Sequence, residues 1–173
     1  MAHAGRFGGF NTYIKRLLKD HSAIIFLTNK GFRNMGAIGN ALLNILSDQP
    51  YELPKLSIAE TIYKTYQSSG VGPAIAEYKS LKKSDGPSYD FSESELNELG
   101  YELLNKGKTT DAIEILKLNV EAYPDSANVY DSLGEAYMKH GDRELAIKNY
   151  NKSLQLDPSN ANAAAMLKRL EKN

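Results

Sequence analysis

The chain has 173 residues, with 21 Lys and Arg against 21 Asp and Glu, 42% hydrophobic residues, and neither Cys nor Trp. This is the composition of an ordinary globular protein of one or two domains, and the absence of cysteine removes a disulfide framework, a thiolate nucleophile and any Cys-based zinc or iron–sulfur site. The three histidines, His3, His21 and His140, lie far apart in sequence and offer no metal cluster, no apolar run reaches the ~20 residues of a membrane span, and the first ten residues lack the apolar stretch of a signal peptide, so neither cofactor nor export signal is expected.

The balanced charge hides a gradient. Residues 1–50 carry six basic and two acidic side chains, residues 51–90 five of each, and residues 91–173 ten basic against fourteen acidic. An acidic second half repels a phosphate backbone, and the basic residues of the first third (Arg6, Lys15, Arg16, Lys19, Lys30, Arg33) are scattered rather than striped. The charge pattern therefore argues against a nucleic-acid reader.

In the first third, residues 10–18 have strand composition, Lys19-Asp20-His21 reads as a turn, and Ser22 to Thr28 is a continuous apolar strand of the kind covered on both faces. Asn29-Lys30-Gly31 closes that strand. An amphipathic helix is then expected from Asn34, with Ile38, Leu42, Leu43 and Leu46 on its apolar side and Asp48-Gln49-Pro50 as its stop. A two-stranded antiparallel ribbon with one helix is too small to stand as a domain.

His3-Ala4-Gly5, the strand opened by Gly8-Gly9-Phe10, the apolar strand ending Leu27-Thr28-Asn29, and Pro50-Tyr51-Glu52-Leu53-Pro54 after the helix carry a resemblance over residues 1–54. They resemble the last strands and C-terminal helix of the serine beta-lactamase-like hydrolases, which include penicillin-binding proteins and many esterases. The resemblance implies that His3 and Gly5 are remnants of a His-x-Gly box on the strand edging an active site. It also implies that the backbone N–H of Arg6 belonged to an oxyanion hole. That family draws its nucleophile and base from a Ser-x-x-Lys box and a Tyr-x-Asn or Ser-x-Asn box ahead of the His-x-Gly. Here Ser80-Leu81-Lys82-Lys83 spells the first but follows His3, within a helical pattern, and no Tyr-x-Asn occurs. No complete catalytic set is present, so the chain alone is not expected to be an enzyme. The alternative is that it is the C-terminal part of an active hydrolase whose boxes lie upstream. The parent family is often exported to the periplasm, but the residues themselves do not assign a compartment.

Residues 55–90 read as a linking helical pair. Ile58, Ile62 and Tyr66 step by four, Ser69-Gly70 breaks the helix, and Ala74 to Tyr78 repeats a small-to-aromatic step found again downstream. Ser84-Asp85-Gly86-Pro87-Ser88 is a turn.

The second half repeats itself at an offset of 34 residues. Residues 96–103 align with Tyr130 to Tyr137, and the same step carries Leu99 to Leu133, Gly100 to Gly134, Gly107 to Gly141, Ala112 to Ala146, Leu116 to Tyr150 and Pro124 to Pro158. A glycine on a helical face lets the next helix approach, Ala and a large residue four apart interlock with it, and Gly107 and Gly141 stand where a helix ends in a left-handed residue. Asp142 and Thr109 or Thr110 are expected to cap the second helices, and Asn160 a closing helix from Asn162 to Glu171 whose apolar side is Ala163, Met166, Leu167 and Leu170. This pattern resembles the tetratricopeptide repeat, with the copy from Ala127 to Pro158 matching more fully than that from Glu93 to Pro124.

The expected fold is α+β but mostly α: a ribbon and helix over residues 1–54, the linking pair over 55–90, and an α-solenoid of helical hairpins with a capping helix over 91–173. The resemblance implies a protein or peptide partner held in a groove lined by the first helices. By register the lining is Asn97, Tyr101, Leu104, Asn128, Asp131, Glu135 and Met138, then Asn162, Ala165 and Arg169 on the closing helix. Related chaperone-binding members use Lys and Asn there to grip a peptide carboxylate. Asp131 and Glu135 would oppose such a grip, so an apolar or basic peptide fits better. The consecutive Ile24, Ile25, Phe26 and Leu27 also favour self-association through residues 8–28, since one helix covers only one face of a strand.

Overall fold

The computed structural model describes residues 2–7, 10–17, 21–28 and 35–171. Contacts divide the chain into two compact units, 1–55 and 56–173.

The first unit holds three antiparallel strands in sequence order: β1 (Ala2–Phe7), β2 (Phe10–Leu17) and β3 (Ser22–Thr28). The ribbon expected from sequence thus has a third strand, in which His3 pairs with Ile14, Gly5 with Thr12 and Arg6 with Asn11. Helix α1 (Met35–Leu46) covers one face of the sheet, burying Tyr13 and Ile24 against Ala41. A Cβ on Gly39 would lie 2.4 Å from the Tyr13 ring, so glycine is what lets that ring lie against the helix backbone. Lys15 Nζ donates to Asn40 Oδ1 at 3.0 Å and ties strand to helix. The expectation that β3 is covered on both faces fails. Alternate side chains of a strand point to opposite faces, one helix reaches only one of them, and Ile25 and Leu27 remain 62% and 72% exposed. The expected turn at Lys19 and Asp20, the strand end at Leu18, the closing Asn29-Lys30-Gly31 and the helix start at Asn34 lie outside the described residues.

The second unit is a run of helical hairpins: α2 (Ile58–Ser69) with α3 (Val71–Ser84), α4 (Glu93–Asn105) with α5 (Thr109–Ala122), α6 (Ala127–His140) with α7 (Arg143–Leu156), and a last helix α8 (Ala161–Glu171). The sequence dictates the turns. Gly70, Gly107 and Gly141 take φ of 89°, 71° and 98°, and these positive values let one residue reverse the chain at little steric cost. It also dictates the close approach of each pair. A Cβ on Gly100 would meet Leu116 at 2.6 Å, and one on Gly134 would meet the Tyr150 ring at 3.0 Å, so the residue from the second helix lies directly on the first helix's backbone. Asn160 caps α8 as expected, its Oδ1 accepting from the N–H of Asn162 and of Ala163 at 3.1 Å each. The caps expected for α5 and α7 do not form: Lys108 precedes α5, and the Asp142 carboxylate bonds the exposed His140 ring at 2.8 Å instead of a helix N–H.

One apolar core runs through this unit, from Ile58, Ile62, Ala74 and Tyr78 through Leu99, Leu103, Ile115 and Leu116 to Ala146, Tyr150, Ala163 and Leu167. The linking pair is therefore a full layer of the solenoid. Two further ties hold it there. Strand β4 (Leu56–Ser57) pairs in parallel with β5 (Tyr89–Asp90), and Glu95, only 3% exposed, reaches from α4 to the start of α2, accepting from Ser57 Oγ and, at 3.1 Å, from the N–H of Ala59. A buried carboxylate is tolerated there because it meets orphan donors at a helix N-terminus. Ser80, the serine of the out-of-place Ser-x-x-Lys, is an exposed residue of α3.

Candidate peptide groove

The first helices of the hairpins form one layer, α4 touching both α2 and α6, and the second helices another, α3 touching α5. Because α4 and α6 are related by the 34-residue step, equivalent residues of the two come side by side. Tyr101 donates its hydroxyl to Glu135 Oε2 at 2.9 Å, a bond between two residues exactly one repeat apart in sequence. Asn128 Nδ2 donates to Glu93 Oε1 at 2.7 Å, tying α6 back to α4, and Asn162 Nδ2 donates to Asp131 Oδ2 at 2.8 Å, tying α8 to α6.

The residues expected to line the groove fall into three groups. Asn97, Tyr101, Asp131, Glu135 and Met138 are half-buried along this layer, while Asn128, Asn162, Ala165 and Arg169 are exposed. Leu104 is buried in the apolar core, so its side chain serves packing. Leu99, Gly100, Ala112, Leu133, Gly134, Tyr137, Ala146 and Tyr150, read from sequence as the repeat signature, are buried. Tyr130 is half-buried and donates to the carbonyl of Pro124 at 3.1 Å, and Pro124 and Pro158 lie exposed just after α5 and α7.

The electrostatics of the layer are acidic. Glu135 also pairs with Lys139 at 2.8 Å. Burial holds the Asp131 carboxyl above the usual range despite its bonds to Asn162 and Asn160, and the nearby Glu135 pushes it further in the same direction. Burial and the Glu135 bond push the Tyr101 hydroxyl up to about 12, partly opposed by the Ser132 hydroxyl. One contributor was not legible in the sequence. Tyr150, read there as core, has a hydroxyl without a partner among the described residues, raised by burial first and then by the charges of Asp131, Glu135 and Tyr101. No periodicity reveals that the far end of a packing residue reaches a polar patch.

His3, Gly5 and Arg6, read from sequence as remnants of an active-site strand, lie on β1. Among the described residues there is no group of three or more His, Cys, Asp or Glu placed to hold a metal ion. No described helix is long and apolar enough to cross a membrane.

Residues 127–160 match the tetratricopeptide repeat family. Over 103 residues, 51% of the chain, the sequence is 32% identical to a putative cellulose synthase operon protein C of Escherichia coli O157:H7 and to cellulose synthase operon protein C of Escherichia coli K12, and the chain spans only 9% of the length of each. Among solved structures it is similar to MamA, at 26% identity and a TM-score of 0.47 over 69% of this chain and 66% of that one. It is also similar to the second TPR domain of human RPAP3 in complex with the HSP70 peptide SGPTIEEVD, at 17% identity and a TM-score of 0.48 over 68% of this chain and 94% of that one. The α6–α7 hairpin thus matches a tetratricopeptide repeat, and α4–α5 carries the same pattern 34 residues earlier.

Proposed function

We propose that the chain is a protein-interaction module whose layer of first helices, α4, α6 and α8, holds an extended segment of a partner protein. The observation that carries this reading is the side-by-side placement of repeat-equivalent residues, seen in the Tyr101 to Glu135 bond, which turns a sequence repeat into a continuous strip of half-buried polar and apolar side chains. Such strips are how solenoids present an extended binding surface. The test is retention of the full chain on an immobilised library of nonapeptides. Retention should be lost when Tyr101 and Met138 are both changed to Ala in a variant that still melts cooperatively. Equal retention of both proteins overturns the reading.

A second reading concerns residues 1–54. The order of strands followed by a helix on one sheet face, with His3 and Gly5 on an edge strand, supports a C-terminal portion of a beta-lactamase-like serine hydrolase (esterase, peptidase or beta-lactamase) whose nucleophile boxes would lie upstream in a longer polypeptide. In that case residues 1–173 alone hydrolyse neither nitrocefin nor a nitrophenyl ester, and a polypeptide extended by the upstream reading frame does. Activity of the chain itself, abolished by Ser80→Ala, overturns this assignment of roles. The bare Ile25 and Leu27 also support self-association through residues 8–28, for which light scattering should report a dimer or larger. A strictly monomeric chain at high concentration excludes it.

A further inference from the structure

We infer that the groove takes a basic side chain, lysine or arginine, of its partner at a subsite formed by Asp131 and Glu135 of α6 with Asn97 of α4. The inference rests on the groove reading above and adds the chemistry of what is bound. Asp131 and Glu135 are four residues apart on one helix, so their side chains lie on the same face one turn from each other. Part of their capacity is used within the chain: Glu135 receives the Tyr101 hydroxyl at 2.9 Å and pairs with Lys139 at 2.8 Å, and Asp131 receives Asn162 at Oδ2 at 2.8 Å and is also bonded by Asn160.

What is left over is mainly acceptor capacity. Asp131 Oδ1 and Asn97 Oδ1 are acceptors shielded from water, and no donor among the described residues serves either. A third, independent observation comes from another helix. Tyr150 of α7 is wholly buried, its hydroxyl has no hydrogen-bond partner among the described residues, and the charges of Asp131 and Glu135 act on it. Buried polar groups in folded proteins are nearly always satisfied, so a cluster of leftovers around two carboxylates marks a place where a guest supplies what the chain does not.

The guest is defined by the shortage. An ammonium brings three N–H donors and a guanidinium five, with no acceptor to leave unpaired, while a carboxylate would add repulsion and an apolar side chain would add no donor. Of the chain's own cations among the described residues, Lys139 reaches Glu135 on its solvent side, while Arg169, which the register places on the same layer, makes no hydrogen bond or ion pair to either carboxylate, so the Asp131 side of the pair is left without a cation. A bare metal ion is disfavoured, because the described residues offer no group of three or more metal-ligating side chains.

The experiment compares two proteins on the nonapeptide library, each peptide present with Lys, Arg or norleucine at the same position. The full chain should retain Lys and Arg peptides about tenfold more strongly than their norleucine counterparts, a preference that shrinks in high salt and disappears in Asp131→Asn/Glu135→Gln. Groove-dependent retention that ignores the basic residue overturns the subsite and leaves the groove reading intact. Absence of any retention sensitive to the Tyr101 and Met138 substitutions removes the groove reading. A second measurement needs no variant: titration of the full chain with butylguanidinium should shift the amide resonances of Asp131 and Glu135 where butanol does not. Equal responses to the two probes overturn the subsite.

Discussion

The two units solve the burial of apolar surface in opposite ways. In the second unit every helical hairpin has the next one as its partner a few tens of residues along the chain, and the core runs unbroken from Ile58 to Leu167. In the first unit the buried apolar side chains among the described residues are Tyr13, Ile24 and Ala41, while Ile25, Leu27, Ile45 and Leu46 stay exposed. A repeat supplies its own covering, and its last exposed layer is closed by α8. Among the described residues a three-stranded sheet with one helix leaves two strands at the edges and a bare face, which one copy of residues 1–55 does not cover. A sequence can therefore be rich in apolar residues and still be poor in core.

The largest effect that probes this contrast is all or none. Fragment 56–173 should be helical by circular dichroism and melt cooperatively, whereas fragment 1–55 should show no folded signature. A well-dispersed NMR spectrum from 1–55 would sink the comparison. The cut belongs at 56 rather than at 88, because α2 and α3 share the repeat core and Glu95 caps α2. Fragment 88–173 should accordingly melt well below 56–173.

Next in size are substitutions inside the two units. Leu116→Ala removes a fully buried side chain that lies on Gly100 and should cost about 2–5 kcal/mol. Gly100→Ala forces a Cβ into Leu116 and should cost about 1–3 kcal/mol, measured by denaturant unfolding of the full chain. Leu27→Ala in the first unit should stay within about 0.5 kcal/mol when the same experiment is run at a dilution where the chain is monomeric, since the side chain is 72% exposed in one copy. A large cost at Leu27 would show that its face is covered in solution.

The same contrast explains what the sequence disclosed. Gly100, Ala112, Gly134, Ala146 and Tyr150 announce themselves because each is fixed by a neighbour in the same hairpin and recurs after 34 residues. The β4–β5 pairing escapes notice because two-residue strands have no period, and Glu95 escapes because a carboxylate inside an amphipathic helix gives no sign that it caps a helix 36 residues earlier. The groove register could be counted from the repeat, but the burial of Leu104 and the reach of the Tyr150 hydroxyl depend on three-dimensional neighbours. The strand at Ala2–Phe7 is short and glycine-bearing, so its pairing with β2 was not evident from composition.

Alkali should act on the repeats through their tyrosines. Burial pushes the Tyr78 hydroxyl and, with the Glu135 bond, that of Tyr101 from 10.0 up to about 12. The folded state thus holds these protons more tightly than the unfolded chain, a contribution that is complete below pH 10 and lost as pH rises through 12. Fragment 56–173 should lose thermal stability steadily across that window, and a flat melting temperature from pH 10 to 12 would contradict the burial of these hydroxyls.

The smallest effect separates stability from binding within the second unit. Asp131 has its carboxyl raised by burial, so the folded state favours the protonated acid. The stability that goes with that proton is complete below the ordinary carboxylate range and is lost as pH rises through the folded value, so at neutral pH the buried charge opposes folding. Asp131→Asn keeps the shape and can still accept from Asn162 while removing the charge. Its melting temperature at pH 7 should slightly exceed that of the parent, and the gap should close on acidification, when the parent acid is also neutral. A residue kept only for packing would show no such gain, whereas one that stands ready for a cation sacrifices a little stability in the empty groove. If the variant instead melts several degrees lower at pH 7, Asp131 is a structural tie between α6 and α8, and the excess acceptor capacity beside Asn97 loses its meaning as a subsite.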